Sequence, residues 1–224
     1  MRNAAEYIED WVEWAALHDR VVACPRFDAL GWPGSRSYNL GNVLARGEAP
    51  GHMNDPAAWS FTVFEQLARR LQKRLKPVAT DFDIWGHSAG AQFVHRFALF
   101  RPDAPTRRII AAGAGWYTTP DPETDFPYGT RHPELSISSE QVRRWVSTPL
   151  IFMRGELDRQ RDEHLRTTPL ADAQGETRWD RAAHMLEAAR AVDPGTPWRL
   201  IDVTGSAHDH SAMATAAQGM LGDD

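Results

Sequence analysis

The stretch DIWGHSAGAQF, residues 83–93, decides how this chain reads. The run DFDIW ends at Trp85 and is followed at once by GHSAG, a serine set among small residues, and then by a segment with helical spacing from Ala89 to Phe100. The pentapeptide fits G-x-S-x-G, in which small neighbours permit a strained strand-to-helix turn that lifts a hydroxyl above a sheet. A helix beginning at Ala89 aims backbone N–H groups and the positive end of its dipole at the same place. The plainer alternative is a serine capping an ordinary strand–helix junction, so the residues at the other strand ends must decide.

Working outward, strands and helices alternate. Ala4, Ile8, Trp11, Val12 and Ala15 recur at helical spacing, with Asn3 and Glu6 resembling a capping box. RVVACPRF (residues 20–27) reads as a short buried strand, and a Gly-, Pro- and Asn-rich loop follows to about His52. Residues 56–75 form a helix with Phe61, Phe64, Leu67, Ala68, Leu71 and Leu75 on one face and a solvated cluster of Arg69, Arg70, Lys73 and Arg74 mostly off it. Further strands are expected at 81–85, 107–115, from Pro149 and at 198–203, and further helices at 89–100, 139–146, 179–192 and after Asp209. The alternation predicts an α/β fold, a mostly parallel sheet with helices on both faces, in a single domain over residues 1–224. Residues 116–137 are expected to form a loop insertion lining a pocket.

Composition narrows the function classes. With 224 residues, 42% hydrophobic, 25% charged and a formal charge of −5, the chain is of ordinary globular type, and nothing in this balance favours nucleic acid, which requires a basic face, so no nucleic-acid partner is expected. Its single cysteine, Cys24, expected on a buried strand, excludes an intrachain disulfide framework and a multi-cysteine zinc site. There is no run long and apolar enough for a membrane span and no signal-like start, so the chain as written is expected in the cytoplasm. Oligomeric state is not legible.

A serine hydroxyl becomes a useful nucleophile when a histidine takes its proton and a carboxylate orients that histidine. Both should come from later strand ends on the same sheet edge as Ser88. LIFMRGELD offers Asp158 just past a strand and a Gly turn, with Glu156 in reserve. VTGSAHDH offers His208 just past the last strand, with His210 in reserve and Asp209 capping or starting the final helix. HDH lacks the H-E-x-x-H spacing or a clustered carboxylate set, so neither a metal nor another cofactor is expected. His18, His52, His87, His95, His132, His164 and His184 are read as structural or solvated. Trp116, Tyr117 and Phe126, in a loop leaving the same edge, are candidate substrate-binding residues.

The order Ser88, Asp158, His208 resembles the α/β-hydrolase fold. Across nearly the whole chain, RNAAEYIEDWVEWA, CPRFD, YNLGN, GHSAGAQFVHRF, AGAGWYTTPD, FPYG and GSAHDH are similar to the esterase branch near polyhydroxybutyrate depolymerases and feruloyl esterases. The resemblance implies a serine esterase acting on a small or polymeric ester through an acyl-enzyme, with the Ala89 N–H in the oxyanion hole and no cofactor. Alternatives are an amide or peptide hydrolase or an acyltransferase using the same three residues, or a non-catalytic scaffold. In the family, strands precede the segment that RNAAEYIEDW resembles. The last of them ends in a His-Gly loop donating to the oxyanion hole and lies between the strands matching 20–27 and 81–85. An N-terminally truncated sheet is therefore expected, with the natural start further upstream and export open if such a segment carries a signal.

Overall fold

The computed structural model describes residues 3–46, 51–76 and 79–222. Its helices are α1 (Ala4–Leu17), α2 (Gly34–Ser37), α3 (Ser60–Leu75), α4 (Ala89–Phe100), α5 (Ser139–Val146), α6 (Pro169–Asp172), α7 (Arg178–Val192) and α8 (His210–Leu221). Four strands, β1 (Phe82–His87), β2 (Thr106–Ala112), β3 (Leu150–Gly155) and β4 (Arg199–Val203), form one parallel sheet in the order β1-β2-β3-β4. Each strand pairs with the next in sequence, so every connection crosses over and carries a helix.

Side chains of a strand point alternately to opposite faces, and the apolar runs here serve two cores by that rule. Ile109 and Ala111 of β2 and Leu150 and Phe152 of β3 face one core, shared with α4, α5 and α7. Ile110, Ala112, Ile151 and Met153, the residues between them, face the other, shared with Trp11 of α1 and Met213, Ala214, Ala217 and Leu221 of α8. Both faces are covered, which is why these strands read as continuous apolar runs.

The helix that starts at the serine turn is the most enclosed. Every residue of α4 from Ala91 to Phe100 is buried, including His95 and Arg96. Phe93 and Phe97 pack against Phe61 and Phe64 of α3, and burying each such ring is worth about 1.5–3 kcal/mol. His95 is satisfied on both nitrogens: Nδ1 donates to the Ala91 carbonyl at 2.9 Å, and Nε2 accepts from the Thr118 N–H at 3.1 Å. Burial and the neighbouring Arg96 hold its pKa well below the ordinary value, in keeping with a neutral ring. The start of α4 therefore rests on a rigid base.

α7 begins with a capping box, the Thr177 hydroxyl accepting from the Asp180 N–H while the Asp180 carboxylate accepts from the Thr177 N–H. Replacing Thr177 by Ala is expected to cost about 1 kcal/mol, read as a lower urea midpoint with an unchanged slope. Asp209 caps α8 through the Ala212 N–H at 2.7 Å.

Several expectations are corrected. Residues 20–27 form no strand: a strand exists through its ladder, and β1 pairs only with β2 among the described residues. Val21 and Cys24 in that segment are exposed. Asn3 makes no side-chain cap, although its carbonyl accepts from the Tyr7 N–H. The helix expected from Pro56 is interrupted at Trp59, whose extended backbone separates a short turn of 3₁₀ helix from α3. β2 stops at Ala112, because Gly113 takes a φ of +61°. The four-residue α6 was not anticipated.

Candidate active site

Ser88 sits where β1 meets α4, at φ 54° and ψ −114°, a backbone conformation that side-chain-bearing residues rarely adopt. Such a residue stores on the order of 1–3 kcal/mol and persists only where its surroundings over-determine it. Here its N–H donates to the Ala112 carbonyl at the end of β2 at 2.8 Å, and its carbonyl accepts from the Gln92 N–H at 3.1 Å. The two motif glycines are not equivalent. A Cβ on Gly86 would lie 2.4 Å from the Gly90 carbonyl oxygen, whereas one on Gly90 would meet only the Tyr38 hydroxyl, at 3.8 Å. Gly86→Ala is therefore expected to open the turn and destabilise the chain by about 1–3 kcal/mol, and Gly90→Ala to be tolerated. Thermal denaturation of the two variants side by side checks this.

Asp158 and His208 arrive from the two neighbouring loops of the same edge. The loop after β3 and the loop after β4 are laced together: the Leu157 N–H donates to the Ser206 carbonyl at 2.8 Å, and Glu156 accepts from the Gly205 N–H at 2.9 Å. Glu156, the reserve acid, is thus engaged in holding the loops. Gly155 lets them meet, because a Cβ there would lie 2.4 Å from the Ala207 carbonyl oxygen and 2.5 Å from that of Ser206.

The result is a continuous chain of contacts. His208 Nε2 lies 3.1 Å from Ser88 Oγ, and His208 Nδ1 lies 2.9 Å from Asp158 Oδ2. A carboxylate only accepts, so these partners assign the proton to Nδ1 and leave Nε2 to accept from the serine hydroxyl. Gly113 gives the imidazole its room, since a Cβ there would stand 3.2 Å from His208 Nδ1. The Asp158 side chain is 4% exposed, and its second oxygen takes a 3.2 Å bond from Arg178. Among the described residues, no three His, Cys, Asp or Glu side chains gather as a metal site, and no helix is long and apolar enough to cross a membrane.

No protein-family model matches the chain, and no curated protein matches it either. Solved structures do. Poly(aspartic acid) hydrolase-1 from Sphingomonas sp. KT-1 is 30% identical and superposes with a TM-score of 0.92 over 98% of this chain and 83% of its own. The poly(3-hydroxybutyrate) depolymerase LpqC from Bordetella parapertussis is also 30% identical, with a TM-score of 0.91 over 99% of this chain and 77% of its own. The chain belongs to the α/β-hydrolase family. The siderophore hydrolase EstA from Aspergillus nidulans, 12% identical with a TM-score of 0.51 over 97% of this chain and 77% of its own, shares the fold alone. Hydrolase activity accords with these relatives.

In this α/β-hydrolase the reserve base is also occupied elsewhere. His210 Nδ1 pairs with Asp10 Oδ2 at 2.7 Å and its ring stacks on Tyr7, tying α8 to α1. His87, read from the sequence as structural or solvated, is buried with its ring centre 4.6 Å from that of His208. Burial, then the nearby His208, His210 and Arg178, pull its pKa down to about 3, so it stays neutral beside His208. Tyr7, pushed up to about 12 by burial and by Asp10 and Glu6, keeps its proton, and its hydroxyl shares a 2.9 Å hydrogen bond with His87 Nδ1.

The aromatic residues expected as pocket walls are taken up by packing. Tyr117 is fully buried against His95 and Phe152, and Phe126 is buried against Phe100. Trp116 is buried beside Tyr128, with the Arg96 guanidinium 4.2 Å from its ring centre and that of Arg166 at 5.0 Å. Residues 116–137 hold one isolated bridge, Asp125 to Arg131, and no regular element. Sequence reasoning missed Arg178 and Tyr7, which no motif marks.

Proposed function

We propose that this α/β-hydrolase cleaves carboxylic esters through an acyl-enzyme formed on Ser88. The contact chain from Ser88 Oγ through His208 to Asp158 is the observation that carries the reading. Ser88 Oγ attacks the ester carbonyl carbon while its proton passes to His208 Nε2. Asp158 keeps the ring oriented and stabilises the imidazolium that forms. The Ala89 N–H, in the first turn of α4, donates to the developing oxyanion, where the positive end of the helix dipole also points. His208 returns the proton to the departing alkoxide, and the second half repeats the cycle with water, releasing the acid.

Support for a second reading comes from the Sphingomonas relative, named for hydrolysis of poly(aspartic acid), whose backbone is an amide. The same residues serve an amide if the nitrogen leaving group is protonated as it departs. One experiment separates the readings. Rapid-quench mass spectrometry during turnover of a p-nitrophenyl ester is expected to trap an acyl group on Ser88, with poly(aspartic acid) cleaved far more slowly. Faster cleavage of poly(aspartic acid) at comparable site occupancy would replace the ester reading with the amide one.

A further inference from the structure

We infer that Arg178 is a positioning residue of the site, whose buried guanidinium holds the Asp158 carboxylate toward His208 and offsets part of the charge presented to that ring. The inference rests on the Ser88, His208 and Asp158 reading above. Asp158 divides its two oxygens, Oδ2 to His208 at 2.9 Å and Oδ1 to Arg178 at 3.2 Å. Both members of the second contact are buried, Asp158 at 4% and Arg178 at 1% side-chain exposure. A carboxylate so enclosed needs a compensating charge, and an arginine so enclosed needs a reason to be there.

The guanidinium is itself fixed. It forks onto Asp162 with bonds of 2.6 and 2.9 Å, the planar arrangement that suits arginine and carboxylate best. Asp162 in turn accepts from the N–H groups of His164 and Leu165, at 2.8 and 2.9 Å. The hydrogen bonds to Arg178 hold the Asp162 carboxyl well below the usual range. Arg178 is also the first residue of α7, held between Thr177 and Asp180 of its capping box. Geometry thus runs from the 164–165 backbone through Asp162 and Arg178 to Asp158, His208 and Ser88.

The groups around His208 come from every neighbouring element: His87 from the end of β1 and Ser88 at the turn into α4, Asp158 after β3, Arg178 from α7, and His210 from α8 with its cap Asp209, with Tyr7 of α1 behind His87. His87 and Tyr7 stay uncharged, and His210 is paired with Asp10. Arg178 and Asp162 are the charges that modulate what Asp158 presents to the ring. Without the guanidinium, the full carboxylate charge favours the imidazolium, which cannot take the serine proton, so reactivity fails at a higher pH. Without Asp162, more of the guanidinium charge falls on Asp158 and reactivity persists to a lower pH.

The test uses the full chain and an alkyl fluorophosphonate, measuring the second-order rate constant of Ser88 modification against pH. In Arg178→Met the acidic limb is expected to rise by about one pH unit. Arg178→Lys keeps the charge without the fork, and should lower the plateau while leaving the limb in place. Asp162→Asn should lower the limb by a smaller amount, because the Asp162 side chain is 41% exposed and partly screened. A lower plateau with an unmoved limb in both Arg178→Met and Asp162→Asn would reduce Arg178 to a structural ion pair and overturn the inference. Should Arg178→Met fail to fold, the sign of the Asp162→Asn shift decides alone. A folded wild-type chain unmodified at Ser88 is a different result, overturning the reading of the site and the inference with it.

Discussion

Ser88→Ala is expected to lower ester turnover by about four orders of magnitude or more while leaving the chain folded, because in the proposed mechanism the hydroxyl is the atom that forms the bond. Removing His208 should cost about as much, and the double variant little more than either alone, since residues that act as a unit lose their effect together. Ser88→Gly adds a second measurement. At φ 54° and ψ −114° a glycine sits without the side-chain penalty, so this variant should be as inactive as Ser88→Ala yet melt higher, by about 1 kcal/mol of added stability. A stability gain on losing the nucleophile is the signature of strain held for function. Turnover in Ser88→Ala within tenfold of wild type would remove Ser88 from the chemistry.

Gly155→Ala should have the second largest effect, although the residue touches no reacting atom. Its added methyl would stand 2.4 Å from the Ala207 carbonyl oxygen and 2.5 Å from that of Ser206, both backbone atoms that cannot rotate aside. The loop carrying His208 must then move away from the loop carrying Asp158. A shift of about 1 Å at such a site costs on the order of a hundredfold in rate, and overpacking of this kind costs about 1–3 kcal/mol in stability. Gly219→Ala in α8, where a Cβ meets nothing within 4 Å, is the matched control and should be neutral or stabilising by up to about 1 kcal/mol. Comparing kcat/KM and the denaturation midpoint of both variants with wild type tests the assignment. Equal behaviour of the two would show that the close approach at Gly155 has no bearing on the site.

Much of this architecture was legible because apolar spacing and turn chemistry agree with the fold. The helices at 89–100 and 139–146 begin and end where the periodicity indicates, and the strands around Ile110 and Phe152 carry continuous apolar runs because helices cover both sheet faces. The serine turn was readable because Gly86 and Ser88 occupy a junction that tolerates few other residues. The positions of Asp158 and His208 followed from sheet geometry, which brings the ends of adjacent strands to one edge. RVVACPRF misled because β-branched composition describes a surface that fits a sheet, whereas pairing depends on what lies alongside. For Trp116, Tyr117 and Phe126 the sequence is ambiguous in kind: an aromatic loop residue is equally suited to wall a pocket or to seal a core, and here the rings meet Tyr128, Phe152 and Phe100. Arg178 was invisible because its partner Asp158 lies 20 residues away, across a loop whose charges read as solvated.

The most direct test of the central claim is intact-mass and peptide mapping of the folded chain after exposure to a fluorophosphonate, in wild type and in His208→Ala. The account predicts one adduct per chain, located on Ser88, formed in the wild type and abolished when His208 is replaced. An adduct on another residue, an adduct on Ser88 that survives the loss of His208, or none on a demonstrably folded wild-type chain would contradict it.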